Sequence, residues 1–122
     1  MAVKSYKDLE IWQKAMNLTV EIYKLTTPLL ESELDFSKQI RESATYIPAR
    51  IAEAHEIFEI SDDECFDCLS SAHSYLLEVE TQLQLGLMTG CFNGGDTKTA
   101  LSFCREISED LISMMEEFGD DD

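Results

Sequence analysis

Helix-breaking residues are scarce in this chain. Its 122 residues include only 2 prolines and 5 glycines, so few positions interrupt a long helix. No stretch alternates apolar and polar residues for long enough to predict a β-strand, which excludes folds built on a sheet. Hydrophobic residues nevertheless make up 44% of the chain, too large a share for a disordered protein. We therefore expect one folded, helical domain over residues 1–122.

Positive charge is also scarce. The chain has 9 lysine and arginine residues against 25 aspartate and glutamate residues, a formal net charge of −16. Such a surface repels phosphate backbones and anionic lipid and attracts basic partners. No predicted helix carries a basic stripe. Nucleic acid is therefore not an expected partner. The acidity either serves solubility alone, the interpretation favoured here, or attracts a basic protein partner.

Long apolar runs are absent. No run approaches the ~20 residues that span a membrane, and residues 1–9 lack the apolar stretch of a signal peptide. These absences predict a cytoplasmic protein with no membrane association, in which cysteines remain free thiols. The cysteines concerned are Cys65, Cys68, Cys91 and Cys104.

Turn and capping residues divide the chain into four predicted helices, at about residues 6–26, 34–59, 62–89 and 97–118. The boundary signals are Ser5 with Asp8, Thr27-Pro28, Ser61-Asp62-Asp63-Glu64 and Asn93-Gly94-Gly95. Asp96 or Thr97 is the predicted cap of the fourth helix, and Pro48 is predicted to kink the second. Because the loops are short, successive helices should be antiparallel neighbours, which gives an all-α, antiparallel up-down four-helix bundle. Gly119 and the three aspartates after it are predicted to form a frayed acidic tail.

The first predicted helix carries two apolar stripes, centred roughly 140° apart at ~100° per residue. One bundle core cannot take up both, and soluble proteins rarely expose a large apolar strip. We assign one stripe to the core, namely Leu9, Trp12, Met16, Val20 and Tyr23. The other is the candidate interface between subunits, namely Ile11, Ala15, Leu18, Ile22 and Leu25. The alternative is a central first helix that is buried on both sides.

Two kinds of metal site, a zinc site and a di-iron site, can be compared with the sequence. Cys65-x-x-Cys68 could contribute to a zinc site with the other cysteines or with His55 or His73, but the other cysteines do not repeat its spacing. Free cysteines are commonly small core residues, the interpretation favoured here. A di-iron bundle requires Glu-x-x-His on two helices, whereas Ala52 and Ser70 stand three residues before the histidines. We predict no metal ligand and no cofactor-binding residue.

His73 and Glu80 are the remaining candidates for chemistry. They are seven residues apart on the third predicted helix, near the border of its core stripe. A half-buried acid beside a histidine could perform acid–base catalysis, yet such pairs more often form structural hydrogen bonds. No nucleophile or glycine-rich phosphate loop accompanies them. We predict no catalytic residue and a protein that is not an enzyme.

Three blocks of sequence carry a family resemblance. They are Tyr6-Lys7-Asp8-Leu9 with Trp12, Ala15 and Val20-Glu21-Ile22-Tyr23; Gln39-Ile40-Arg41 with Ile47-Pro48 and Ile51-Ala52-Glu53; and Glu78-x-Glu80-Thr81-Gln82-Leu83. In this order, over roughly residues 6–90, they resemble the four-helix-bundle proteins named for 23S ribosomal RNA intervening sequences. The resemblance implies a ring-like homo-oligomer, often a pentamer, and it does not imply catalysis. It also implies structural roles for Arg41, Pro48, Glu53 and Glu80.

The chain departs from the family pattern where basic residues are common. Glu42 follows the motif arginine, and Ala54 stands where a glycine precedes basic residues. The leading hypothesis is a non-enzymatic homo-oligomeric scaffold or adaptor that binds protein partners through an acidic surface. The alternative is an RNA-associated accessory protein, like relatives linked to ribosomal RNA insertions or diversity-generating retroelements. Arg41, Glu80 or both are expected to find an opposite charge at a helix or subunit contact.

Overall fold

Helices account for nearly all of the chain that the structure, a computed structural model, describes, which is residues 5–119. The four α-helices are α1 (Glu10–Thr26), α2 (Leu34–Ile57), α3 (Asp62–Met88) and α4 (Gly94–Gly119), and 3₁₀ turns cover Tyr6–Asp8 and Thr27–Leu29. No strand occurs within this described part. The all-α fold class is therefore confirmed, while the predicted acidic tail over residues 120–122 lies outside the described residues.

Side-chain caps fix the starts of α3 and α4. Ser61 accepts a hydrogen bond from the backbone N–H of Glu64 at 3.2 Å, as predicted for α3. Asn93, rather than Asp96 or Thr97, caps α4: its Oδ1 accepts from the N–H of Asp96 at 2.8 Å. The amide group of Asn93 also donates to the Asp96 carboxylate at 2.7 Å. Because the cap lies at residue 93, α4 begins at Gly94, earlier than predicted.

The helices pack as a square of antiparallel neighbours. Within the described residues, α1 packs against α2 and α4, and α3 packs against the same two helices, while no Cα atoms of diagonally opposite helices come within 8 Å of each other. Residue numbers rise on one helix as they fall on the next, which shows opposite chain directions. The pairs that show this for α2 and α3 are Ser43 with Glu78, Tyr46 with Tyr75, and Glu53 with Cys68.

One apolar core runs the length of the bundle. Apolar residues at steps of three and four along α2, α3 and α4 provide most of it, as expected of helices in a bundle. Ile40, Ile47, Ile51, Leu69, Leu76, Leu83, Ile107 and Leu111 are all at most 1% exposed. Burying one such side chain completely is worth roughly 1.5–3 kcal/mol.

The face of α1 that enters the core is opposite to the predicted one. Ile11, Ala15, Leu18 and Ile22 are 6%, 0%, 0% and 0% exposed, and Leu25 packs half-buried against the core. The side chains of these residues have no polar groups, and Ala15 lets a neighbouring helix approach closely. Burying this stripe therefore costs less than burying the other stripe of α1. The assignment of this stripe to a subunit interface is therefore wrong.

The other stripe of α1 lies at the surface. Met16 is 39% exposed, Val20 48% and Tyr23 45%, while Trp12 and Leu9 are half-buried. The predicted burial of Met16 is wrong, and α1 is not buried on both sides within the chain. A methionine and two aromatic residues with polar groups tolerate partial exposure better than isoleucine and leucine do.

Candidate functional site

Pro48 lies inside α2 and leaves one carbonyl without its helical donor. Proline has no N–H, so the carbonyl of Ala44, four residues earlier, cannot form the usual helix bond. The hydroxyl of Thr19 on α1 lies 3.1 Å from this oxygen, and 2.9 Å from the carbonyl of Ala15 in its own helix. Thr19 thus offers a donor from a neighbouring helix at the point where α2 lacks one. Pro48 itself is buried, and α2 continues past it.

Arg41 is bound to neutral groups of α1 and the turn after it. Its Nε donates to the fully buried Thr26 hydroxyl at 2.7 Å, and its terminal nitrogen lies within reach of the Tyr23 carbonyl and the Thr27 hydroxyl. The guanidinium also stacks 4.2 Å from the centre of the Tyr23 ring. Among the described residues Arg41 has no acidic partner. The predicted ion pair is therefore wrong for Arg41 within the chain, because hydroxyl, carbonyl and aromatic groups hold its charge instead.

Glu53 belongs to a surface cluster between α2 and α3. It forms an ion pair with Arg50 at 2.6 Å and accepts a weak hydrogen bond from the Cys68 thiol at 3.8 Å. The Arg50 guanidinium lies 5.6 Å and 6.0 Å from the ring centres of Tyr46 and Tyr75. This cluster links the two helices, which fits the structural role that the resemblance implies for Glu53.

His73 and Glu80 do not act on each other. His73 lies 3.3 Å from the hydroxyl of Ser108 on α4. Glu80 is half-buried and has no ion-pair or hydrogen-bond partner among the described residues. The ion pair predicted for Glu80 is therefore not found within the chain. His73 and Glu80 therefore form no hydrogen bond with each other.

Three cysteines are held as neutral thiols. Burial raises the pKa of Cys104 to about 12, and the nearby Glu80 carboxylate adds to this. Burial also raises the pKa of Cys65 and, together with Glu53, that of Cys68. Thiolates rather than thiols are the nucleophiles and metal ligands, so these residues are suited to packing. Within residues 5–119, no three histidine, cysteine or acidic side chains converge as a metal ion would require.

The α1 outer face, defined by Trp12, Met16, Val20 and Tyr23, is the first exposed apolar surface. It borders a groove of about 460 Å³ against α2, which Tyr23, Arg41 and Tyr46 line with Lys38, Glu42 and Thr45. Aromatic residues, methionine and arginine are enriched in protein interfaces. The composition of this face therefore favours a contact with another protein surface.

A second exposed apolar surface, which the sequence analysis missed, lies at one end of the bundle. This end patch consists of Phe58, Ile60, Phe66 and Phe118, of which the first three are 54%, 79% and 37% exposed. The available signals were Ile60 in a predicted loop and Phe66 off the core stripe of its helix. A groove of about 560 Å³ between α2 and α3 is lined by four acids and four other residues, namely Glu53, Glu56, Glu64 and Asp67 with Tyr6, Ala52, Ile57 and Cys68.

Comparison with known proteins agrees with this architecture. The family model described as "23S rRNA-intervening sequence protein" matches residues 7–113. The chain is also similar to the crystal structure, at 1.70 Å resolution, of a protein with unknown function from the S23 ribosomal protein family of Bacteroides thetaiotaomicron. That match has a TM-score of 0.79 and 27% identity, and it covers 86% of this chain and 97% of the other. No curated protein matches the chain. No helix in the described part combines the length and apolar character that crossing a membrane needs.

Proposed function

This chain belongs to the 23S rRNA-intervening sequence protein family, and we propose that it is a non-enzymatic homo-oligomeric scaffold that assembles through the α1 outer face. The observation that carries the proposal is the second apolar stripe of α1. The core takes up most of the first stripe, whereas Met16, Val20 and Tyr23 of the second remain 39%, 48% and 45% exposed. A second copy of the chain can cover them.

The energy available from this face is moderate. Met16, Val20 and Tyr23 leave on the order of 250 Å² uncovered, which at ~25 cal/mol/Å² is worth about 6 kcal/mol when covered. Association costs an estimated 4–15 kcal/mol in lost freedom. An interface that also covers Trp12 and Tyr46 would therefore bring the gain from covered apolar surface into balance with the cost of association. In a ring, this face meets a different surface of the next copy, and the family resemblance implies a pentamer.

Charge opposes assembly and gives it a signature. Each copy carries −16, so copies repel one another at low salt. Screening limits this repulsion to within ~8 Å at physiological ionic strength. Assembly should therefore strengthen as salt rises, whereas binding to a phosphate backbone weakens.

The alternative function, association with RNA, is less favoured because the surface is acidic and because three of the cations are already held by contacts within the chain. Lys14 lies 3.0 Å from Asp110 and 3.6 Å from Glu106. Arg50 pairs with Glu53, and Arg41 is bound to Tyr23 and Thr26 as described above. A phosphate group would have to compete with these contacts in an acidic surface. We expect no binding to RNA in a gel-shift assay at ~150 mM salt.

The test of assembly is analytical ultracentrifugation at low and high salt, with the native chain and with Val20→Glu. We expect the native chain to form an oligomer that salt favours. The Val20→Glu variant should be monomeric at the same concentration, because assembly would bury an unpaired charge. Thr99→Glu is the matched control, since it adds the same charge at an exposed position of α4. A native chain that stays monomeric in high salt would refute the proposal. A Val20→Glu variant that assembles normally would place the interface on another face.

A further inference from the structure

The two ends of the bundle differ in how far their apolar residues are covered. At one end Phe92 is 7% exposed. Its ring lies against Gly86 and 5.8 Å from the ring of Phe36, and its N–H donates to the Gly86 carbonyl at 3.1 Å. This aromatic residue closes the core at that end. At the other end, Phe58 and Ile60 of the end patch remain 54% and 79% exposed.

The end patch is an organised surface rather than scattered side chains. The ring of Phe118 stands edge-on to Phe58, with centres 6.4 Å apart, and to Phe66, with centres 6.3 Å apart. Edge-to-face pairs of this kind hold aromatic rings in fixed positions. The patch therefore joins residues contributed by the ends of α2, α3 and α4. Beside it lies a cavity of about 100 Å³, whose lining includes Phe58, Phe118, Met114 and Leu9.

Acidic side chains surround this apolar surface. Glu59, Asp62 and Asp63 are exposed and line a groove together with Ile60. Glu117 lines the cavity beside Phe118. No lysine or arginine occurs between residues 51 and 97, so α3 and the loop before it bring no compensating positive charge. The end patch is therefore bordered by an acidic rim, which consists of Glu59, Asp62, Asp63 and Glu117.

We propose that the end patch is a docking site for a cationic amphipathic segment of a partner protein. Bulky apolar side chains of the segment cover Phe58, Ile60 and Phe66, and its lysine or arginine residues pair with the acidic rim and lie over the aromatic rings. A second copy docked through the same end would bring two acidic rims together. Nucleic acid and anionic lipid are repelled for the same reason. The proposal goes beyond the scaffold function proposed above, and it uses a different surface from assembly.

The test is fluorescence anisotropy with three labelled synthetic peptides and the full chain. The first peptide has leucine and lysine at the spacing of an amphipathic helix. The second replaces each lysine with glutamate, and the third replaces each leucine with serine. We expect binding of the first peptide only, weakening as salt rises.

Matched variants locate the binding on the surface. Phe58→Ser and Ile60→Ser together should weaken binding of the leucine–lysine peptide about tenfold or more, as loss of an interface centre does. Leu77→Ser and Met88→Ser are the controls, since these residues of α3 are 50% and 84% exposed. They should leave binding unchanged.

Charge variants test the acidic rim separately. Glu59→Gln with Glu117→Gln should weaken binding and flatten its salt dependence. Glu31→Gln with Glu33→Gln removes the same charge from exposed positions outside the rim and should do neither. Equal binding of the first and third peptides would show simple charge attraction and overturn the proposal.

The docking proposal and the assembly proposal can be tested independently. Ultracentrifugation of Ile60→Ser should give the native mass; a smaller mass would assign the patch to a second copy and overturn docking. If Val20→Glu is monomeric and still binds the peptide, both proposals stand. If the native chain is monomeric but binds the peptide, assembly fails and docking stands. Undiminished binding by the Phe58→Ser, Ile60→Ser variant refutes docking whatever the mass.

Discussion

The contact between Thr19 and the Ala44 carbonyl predicts an energetic coupling between two helices. The relevant changes are Thr19→Val, which removes the hydroxyl at nearly constant shape, and Pro48→Ala, which restores an N–H to α2. In the native chain, Thr19→Val leaves the Ala44 carbonyl without its 3.1 Å donor. In the Pro48→Ala chain, the new N–H of residue 48 satisfies that carbonyl within the helix.

The expected magnitude follows from the asymmetry of hydrogen-bond energies. Leaving a buried acceptor unsatisfied costs about 1–3 kcal/mol, whereas exchanging one donor for another is nearly neutral. Thr19→Val should therefore lower the free energy of unfolding by about 1–3 kcal/mol in the native chain. In the Pro48→Ala background the loss should be smaller by more than about 0.5 kcal/mol, the deviation within which uncoupled sites are additive.

Urea denaturation followed by circular dichroism measures all four chains of this cycle. Several protein concentrations are needed so that any linked assembly can be separated from stability. Thr81→Val is the control, since the Thr81 hydroxyl donates only to the Leu77 carbonyl of its own helix. Its effect should be the same with and without Pro48. Equal losses from Thr19→Val in both backgrounds would show that Thr19 is not the donor that the proline requires.

Three further predictions concern the core. Leu76→Ala should lower the free energy of unfolding by about 2–5 kcal/mol, because Leu76 is fully buried; a loss under about 1 kcal/mol contradicts the packing. Gly86→Ala should destabilise the chain in the same assay, because a Cβ there overlaps the Phe92 ring, and Phe92→Leu in the same chain should recover part of the loss. Since burial raises the pKa of Cys104 to about 12, unfolding releases its proton above pH 9, and stability should fall by about 1 kcal/mol from pH 8 to pH 10. Cys104→Ala should remove that part of the pH dependence; an unchanged pH profile would contradict it.

The sequence was sufficient to predict the fold because local and periodic signals agreed. Ser61 and the acids after it mark the start of α3, and steps of three and four residues mark the core stripes of α2, α3 and α4. The start of α4 was misplaced because asparagine, aspartate and threonine can all cap a helix, and residues 93–97 contain all three. The hydrogen bond from the N–H of Asp96 to the Asn93 side chain shows that Asn93 is the cap.

The candidate surfaces were harder to predict, for a physical reason. Two apolar stripes on α1 satisfy the same periodicity, so periodicity cannot decide which one is buried. Side-chain chemistry could have decided it: Ile11, Leu18 and Ile22 have no polar atoms, whereas Trp12 and Tyr23 suit a partly exposed position. The end patch depends on where three helix ends meet in space. A single sequence gives no direct signal of such a meeting.

The two proposed surfaces respond to salt in opposite ways, and this difference links them. Salt screens the repulsion between copies and so favours assembly, but it also weakens the attraction between the acidic rim and a cationic segment. A bound segment, however, neutralises part of the −16 on each copy and so reduces the same repulsion that salt would screen. At low salt, docking should therefore promote assembly, and by linkage assembly should tighten docking by the same factor. An acidic scaffold of this kind would assemble most readily when its basic partner is present.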